Sequence, residues 1–230
     1  MWEVIDTGVA CAEENMRIDR ELLETVGDRS KGVLHLYEWE GEALTYGHFI
    51  KPEQFLNLDA IKRRGVDMAR RPTGGGIIFH IWDIAFSALM PASHPEFSLN
   101  TLENYAVINR RVIEAVGGAL LLPDEPTPLD ASCAHFCMAK PTKYDVVTAD
   151  GRKIGGAAQR RTRAGLLHQG SISIATPPTE DLEELLLPGT RVIEAMRANT
   201  FALLPEGWSR SDLRAAREEL KAALTRAFTP

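Results

Sequence analysis

The chain has 230 residues, 44% hydrophobic and 25% charged, the profile of a water-soluble globular protein with a substantial core. Its 26 Lys and Arg against 32 Asp and Glu give a net charge of −6, which advertises neither nucleic acid nor an anionic membrane as a partner. No apolar run approaches the ~20 residues of a membrane-spanning helix, and three cysteines, Cys11, Cys133 and Cys137, form no disulfide framework. These features predict a cytoplasmic protein. The opening Met-Trp-Glu-Val-Ile-Asp has neither a basic nor an apolar leader region, so no signal peptide is expected.

In chain order, residues 12–25 carry Met16, Leu22 and Leu23 among charges and predict an amphipathic helix. Residues 33–39 and 43–49 are strand-like, and the charged connection 38–42 predicts that they pair as a hairpin. A short helix over 55–64 then delivers the chain to a glycine-rich loop. Residues 77–90 read as two apolar strands turning at Trp82-Asp83. The helix over 101–116 is the longest of the middle region, with Gly117-Gly118 at its end. Three prolines between 123 and 128 exclude regular structure there. Residues 144–148, 153–159 and 165–175 predict an antiparallel meander with a hairpin turn at Asp150-Gly151. Helices follow Pro177-Pro178, and the last, over 209–228, has Ser209 and Asp212 at capping-box spacing. Hairpin strands mixed with helices indicate an α+β fold.

The most informative segment is Arg70-Arg71-Pro72-Thr73-Gly74-Gly75-Gly76, which runs into Ile77-Ile78-Phe79-His80. Successive glycines let backbone N–H groups close on an anion or a flat ligand, and the two arginines supply planar donor forks beside them. A second segment reads Arg152-Lys153-Ile154-Gly155-Gly156-Ala157, where glycines inside a strand point to close approach of a ligand or backbone. A third reads His168-Gln169-Gly170-Ser171.

Together these segments resemble the lipoate-protein ligase and octanoyltransferase family, relatives of the biotin protein ligases. The family pattern is an Arg-Arg-x-Ser/Thr-Gly-Gly loop ending in His, then Gly-x-Lys-Ile-x-Gly-x-Ala, then His/Gln-x-Gly-Ser/Thr. Residues 14–19, 34–39 and 46–49 resemble its opening helix and first strands, so the likeness runs to about Ile174. The resemblance implies a single catalytic domain over 1–230, with a central mixed or antiparallel sheet flanked by helices. It also implies transfer of an octanoyl or lipoyl group to the ε-amine of a lysine on a lipoyl domain. Substrate would be bound by Arg70, Arg71, Thr73, Gly74, Gly75, Gly76, His80, Gly155, Gly156, Ala157, His168, Gly170 and Ser171.

Two routes exist within the family. A transferase takes the acyl group from a carrier onto a cysteine as a thioester and needs no cofactor; a ligase activates free lipoate with ATP and magnesium. Lys153 would serve both, stabilising charge on the acyl oxygen or the adenylate. Cys137-Met-Ala-Lys-Pro141-Thr142-Lys-Tyr144-Asp145 resembles the cysteine-x-x-x-Pro-Ser/Thr-x-Tyr-Asp/Glu segment that carries the nucleophile of cysteine-type octanoyltransferases. Such a thiol needs nearby positive charge, which Lys153 is expected to provide. Asp83 and Ser87, three and seven positions after His80, and an end at Pro230 without a further domain also resemble the transferases. Gly76, where transferases commonly have Arg, resembles the ligases, and Ile81 stands where the family usually has Asp.

Cys133-x-His135-x-Cys137 does not complete a four-coordinate zinc site, so no metal is assigned. Trp39, Phe49, Ile78 and Phe79 are candidates for the wall of an acyl tunnel, where burying eight carbons is worth up to ~6 kcal/mol. Arg152, Lys153, Arg160, Arg161 and Arg163 form a basic run that either solvates a hairpin or docks an acidic partner.

Overall fold

The computed structural model describes all residues except 125, 129 and 130. Two sheets form its frame. Strands β1 (Trp2–Ala10), β2 (Gly32–Trp39), β6 (Asp83–Pro91), β10 (Gly165–Ser173), β9 (Lys153–Arg161), β8 (Val146–Val147) and β7 (Leu120–Leu121) lie in that spatial order in the larger one. Among the described residues of this larger sheet, only β1 and β2 pair in parallel, joined through helix α1 (Ala12–Glu24); its remaining pairs are antiparallel. The smaller sheet holds β4 (Asp67–Arg70), β3 (Ala43–Tyr46) and β5 (Ile77–Phe79). The expected class, α+β with a mixed sheet flanked by helices, is the one observed.

The expected hairpin between residues 33–39 and 43–49 does not form. Strand β2 is paired on one edge with β1 and on the other with β6, so no edge is left for β3. The chain leaves the large sheet at residues 40–42, and β3 pairs instead with β4 in parallel and β5 in antiparallel register. The turn expected at Trp82-Asp83 is likewise a corner between sheets, because β5 and β6 belong to different ones. β1 and β4 were not anticipated from the sequence. The meander was: β8, β9 and β10 follow in antiparallel order. Of the proline-rich stretch, residue 125 lies outside the described residues, and its described neighbours have no regular structure.

Helix ends follow local chemistry. Helix α2 (Leu58–Arg64) starts where the Asn57 side chain accepts from Ala60 N, later than the expected residue 55. Helix α3 (Thr101–Val116) is capped by Asn100, which accepts from Leu102 N, and stops at Gly117. Short helices α4 (Thr179–Leu185) and α5 (Val192–Asn199) precede α6 (Arg210–Phe228), whose Ser209 and Asp212 form a reciprocal capping box. Among the described residues, no helix is long and apolar enough to cross a membrane.

Strand alternation sorts the core into two layers. Leu34, Leu36, Phe86, Ala88 and Leu166 belong to the large cluster that also contains Val112 of α3 and Leu220, Leu224 and Phe228 of α6. Tyr37 and Ala85 point to the other face and pack with Met16 of α1 and with Ala43 and Ala69 of the small sheet. Phe228, 1% exposed, meets Trp2 edge-on at 5.0 Å between ring centroids and so ties α6 to the edge strand. Phe228→Ala is expected to cost about 3–5 kcal/mol of unfolding free energy, measured by urea denaturation; a loss under ~1 kcal/mol would show that this contact does not anchor the helix.

Candidate active site

A cavity of about 260 Å³ lies between the α1-side face of the large sheet and the glycine loop that leads into β5. The loop's shape is set by backbone packing. A Cβ on Gly76 would lie 2.3 Å from the His135 carbonyl oxygen, and one on Gly47 would lie 2.0 Å from that of Gly75. Side chains at these positions are therefore excluded. This contact brings the cysteine segment alongside β5, where Cys137 N donates to Ile77 O at 3.1 Å. Half-buried Cys137 lines the cavity, whereas Cys133 is buried and Cys11 exposed.

Lys153, at the start of β9, is buried and its Nζ folds back over Gly156. It donates to Cys137 O at 2.8 Å and pairs with Asp145 Oδ2 at 2.7 Å. Asp145 is oriented by Thr142, whose backbone N and hydroxyl donate to Oδ2 at 2.6 and 3.0 Å. Burial pushes the Asp145 carboxyl upward against the opposing pull of the Lys153 ammonium and the Thr142 bonds. Just before it, Tyr144 adopts φ +68°, a conformation that costs a side-chain-bearing residue about 1–3 kcal/mol. Asn109 of α3 holds it by donating to Tyr144 O at 2.7 Å. An ammonium has three N–H donors, and among the described residues two of them are engaged.

Two polar chains support the walls. Thr73 Oγ1 donates to Gln169 Oε1 at 2.7 Å, and Gln169 Nε2 donates to Asp19 Oδ2 at 2.6 Å. Asp19 also receives Ser87 at 2.7 Å and pairs with His35 at 2.8 Å. In the second chain, Ser171 Oγ donates to Asp83 Oδ2, which pairs with His80 Nδ1 at 2.9 Å. His80 Nε2 then meets Thr45 Oγ1 at 2.8 Å, and Arg71 Nη1 donates to the same hydroxyl at 2.8 Å. Asp83 and Ser87, singled out by their spacing from His80, thus belong to two buried networks.

Of the residues expected from sequence, Cys137, Lys153, Arg71, Gly75, Gly76, His80, Gly156, Ala157, Gly170 and Ser171 line the cavity. Thr73 and Gly74 act behind it, through Gln169 and through a carbonyl that accepts from Arg71. Gly155 sits between strands, where a Cβ would lie 3.0 Å from Ser171 O. Two of the expected residues stand apart from the cavity. Arg70, the last residue of β4, is exposed and is not among its lining residues. His168 points to the α3 side of β10, because alternation sends it opposite to Gln169 and Ser171; it packs on Tyr105 and Phe86. Of the expected tunnel residues only Ile78 lines the cavity; Trp39 stacks on His80, and Phe49 is 89% exposed. The basic run divides, with Lys153 inside, Arg152 paired to Asp150, and Arg160, Arg161 and Arg163 exposed. Sequence reasoning gave no role to Thr45, Gln169 or Asp145, although the last two stand inside the motifs.

Two outcomes follow from this geometry. Burial holds the His168 imidazole neutral, pushing it from 6.5 down to about 3. The unfolded chain takes up that proton first, so stability falls as pH drops from about 6.5 towards 3, by up to ~1.4 kcal/mol per unit. His168→Gln should flatten this acid limb in denaturation series at several pH values; an unchanged limb refutes the assignment. A methyl on Gly156 would lie 2.4 Å from Lys153 Cε and 2.5 Å from Nζ. Gly156→Ala should therefore displace the ammonium and, with Lys153 in the role the resemblance implies, lower turnover about 10²–10³-fold with the thermal melt retained; near-normal turnover would refute that role for Lys153.

Comparison with known proteins places these features in a family. The family model for the lipoyl protein ligase A/B catalytic domain matches residues 11–200. The chain is 31% identical over 212 residues to octanoyltransferase LipM of Geobacillus kaustophilus, covering 86% of this chain and 74% of that protein. It is 28% identical to LipM of Bacillus subtilis, with the same shares covered. The fold is similar to that of lipoate-protein ligase A bound with ATP, with a TM-score of 0.67 and 19% identity over 98% of this chain and 84% of that one. It is also similar to a bipartite lipoate protein ligase from Thermoplasma acidophilum, with a TM-score of 0.61 and 18% identity over 98% and 84%. The glycine loop, the Lys153 strand and the Cys137 segment all fall within the matched span, and the chain belongs to the lipoyl protein ligase A/B catalytic-domain family.

Proposed function

We propose that this acyltransferase of protein lipoylation carries an octanoyl group on Cys137 as a thioester and delivers it to the ε-amine of a lysine on a lipoyl domain. The observation that carries this reading is the placement of a half-buried thiol and a buried ammonium on one cavity, with Lys153 Nζ 2.8 Å from the Cys137 carbonyl. In the first half, the Cys137 thiolate attacks the carbonyl carbon of an octanoyl thioester on a carrier. The Sγ–C bond forms, the donor's C–S bond breaks, and the donor departs as a thiol after taking a proton. In the second half, the acceptor amine attacks the same carbon, the N–C bond forms, and Cys137 leaves as thiolate while the nitrogen gives up a proton to solvent. The free Lys153 N–H supports the oxygen on which charge develops in both halves.

Identity of about 30% to proteins named octanoyltransferases supports the acyl transfer. Under this reading the route needs no cofactor, and three cysteines in no framework pattern fit a reducing cytoplasm as its location. The ATP- and magnesium-dependent ligase route is the alternative. Gly76, standing where the transferases commonly have Arg, is its supporting feature; in this chain it packs against His135 O with no room for a side chain.

Intact mass of an apo lipoyl domain separates the routes. The expected result is modification from an octanoyl-carrier donor without ATP, and none from free lipoate with ATP and magnesium. Cys137→Ser should abolish that modification and the acylated form of the enzyme itself. Modification confined to the lipoate tube, or transfer surviving in Cys137→Ser, overturns the thioester route.

A further inference from the structure

Two cations are buried at the cavity, and they are neutralised differently. Lys153 faces the Asp145 carboxylate at 2.7 Å, with both side chains almost wholly buried. Arg71, 5% exposed, donates to Thr45 Oγ1 at 2.8 Å, Gly74 O at 2.9 Å and Gly76 O at 2.7 Å. These three acceptors are neutral. Among the described residues no carboxylate lies within ion-pair distance of this guanidinium. Arginine does not shed its proton in proteins, so a buried guanidinium calls for an anion facing it.

The nearest group able to become an anion is the Cys137 thiol, across Gly75. Arg71 Nη2 and Cys137 Sγ converge on Gly75, lying 3.1 and 3.7 Å from where a Cβ would stand there. Gly75 has φ +82° and no side chain to separate them. The two are close enough to couple electrostatically, the thiolate favouring the charged guanidinium against the cost of its burial. We propose that Arg71, rather than Lys153, is the counter-ion of the Cys137 thiolate, and that Thr45 is the positioning residue that fixes it there. The proposal rests on the reading of Cys137 as the acyl-carrying nucleophile. The same charge favours Cys137 as the leaving group when the amine displaces it.

Thr45 holds the fork through a defined chain. A carboxylate accepts, so His80 donates from Nδ1 to Asp83. Arg71 donates to the Thr45 hydroxyl, which in turn donates to His80 Nε2. Every polar atom of Thr45 and His80 is then satisfied. The carboxylate at the far end stays separated from Arg71 by a hydroxyl and an imidazole.

The other titratable groups around the thiol come from several elements. Tyr37 of β2 faces Arg71, and burial pushes its hydroxyl well above its ordinary value. Tyr105 of α3 faces Cys137 and is pushed up to about 12 by burial, so both phenols are neutral. Lys153 and Asp145 cancel as a pair, and His80, His135 and Lys140 line the same cavity.

The test is the pH dependence of iodoacetamide alkylation of the full chain, read by mass on the Cys137 peptide. Arg71→Gln should raise the pH of half-maximal rate by about 1–3 units. Thr45→Val should raise it by a smaller amount, and Thr45→Ser should restore it, which a role in packing alone would not predict. Deleting the neutral pair together, in Lys153→Met with Asp145→Asn, should move it less than Arg71→Gln does. If Arg71→Gln does not fold by thermal melt, the Thr45 pair carries the test. Wild-type profiles in the folded Arg71 and Thr45 variants, or a larger shift in the pair-deleted protein, overturn the proposal. A parallel incubation of wild-type enzyme with the octanoyl-carrier donor reports on Cys137 acylation. An unacylated Cys137 together with the Arg71 shift would refute the thioester reading and leave the ion pair standing.

Discussion

Backbone pressed against backbone around the glycine loop is the constraint on which the rest of this structure depends. Gly47 packs on the Gly74 and Gly75 carbonyl groups, and Gly76 packs on the carbonyl of His135, at separations no Cβ could share. These contacts let β5 run beside the 136–137 segment and close the small sheet over the α1-side face of the large one. A methyl at either position would push the layers apart, and the cavity with them. The loop's composition is thus first a packing requirement. The cavity is a consequence of it.

Within that frame, most buried polar groups around the cavity find partners, as a low-dielectric interior demands, although Asp83 Oδ1 has none among the described residues. The Asp145–Lys153 pair, the Thr73–Gln169–Asp19 chain and the Ser171–Asp83–His80–Thr45–Arg71 chain come from segments far apart in sequence. They meet around one cavity because β10 contributes Gln169 and Ser171 from alternate positions on the same face. Strain is concentrated here too, in the left-handed Tyr144 that aims Asp145 inward.

The parts legible in the sequence are those fixed by local chemistry. The helix at Thr101–Val116 has a capping Asn100 and a terminal Gly117; the helix after Ser209 has its capping box; the meander has Asp150-Gly151 between its first strands. The parts that were misread depend on partners. Residues 43–46 have a strand's composition, but nothing in them says that β2 already has both edges filled. For the same reason β4, only four residues long and carrying Asp and Arg at its ends, gave no signal.

By itself the sequence determined the chemical inventory and the family: three glycine-bearing motifs in order, a lysine, a cysteine with its Pro-Thr-Lys-Tyr-Asp tail, and an α+β pattern. Only the tertiary structure decided how that inventory is used. It turned His168 away from the cavity, gave Asp145 to Lys153, and brought Arg71 Nη2 and Cys137 Sγ together over Gly75. The physical reason is that motifs specify residue types along the chain, whereas electrostatic pairing depends on distance through space and on which face of a strand a residue occupies. Those are set by sheet register and layer packing, which no single segment encodes.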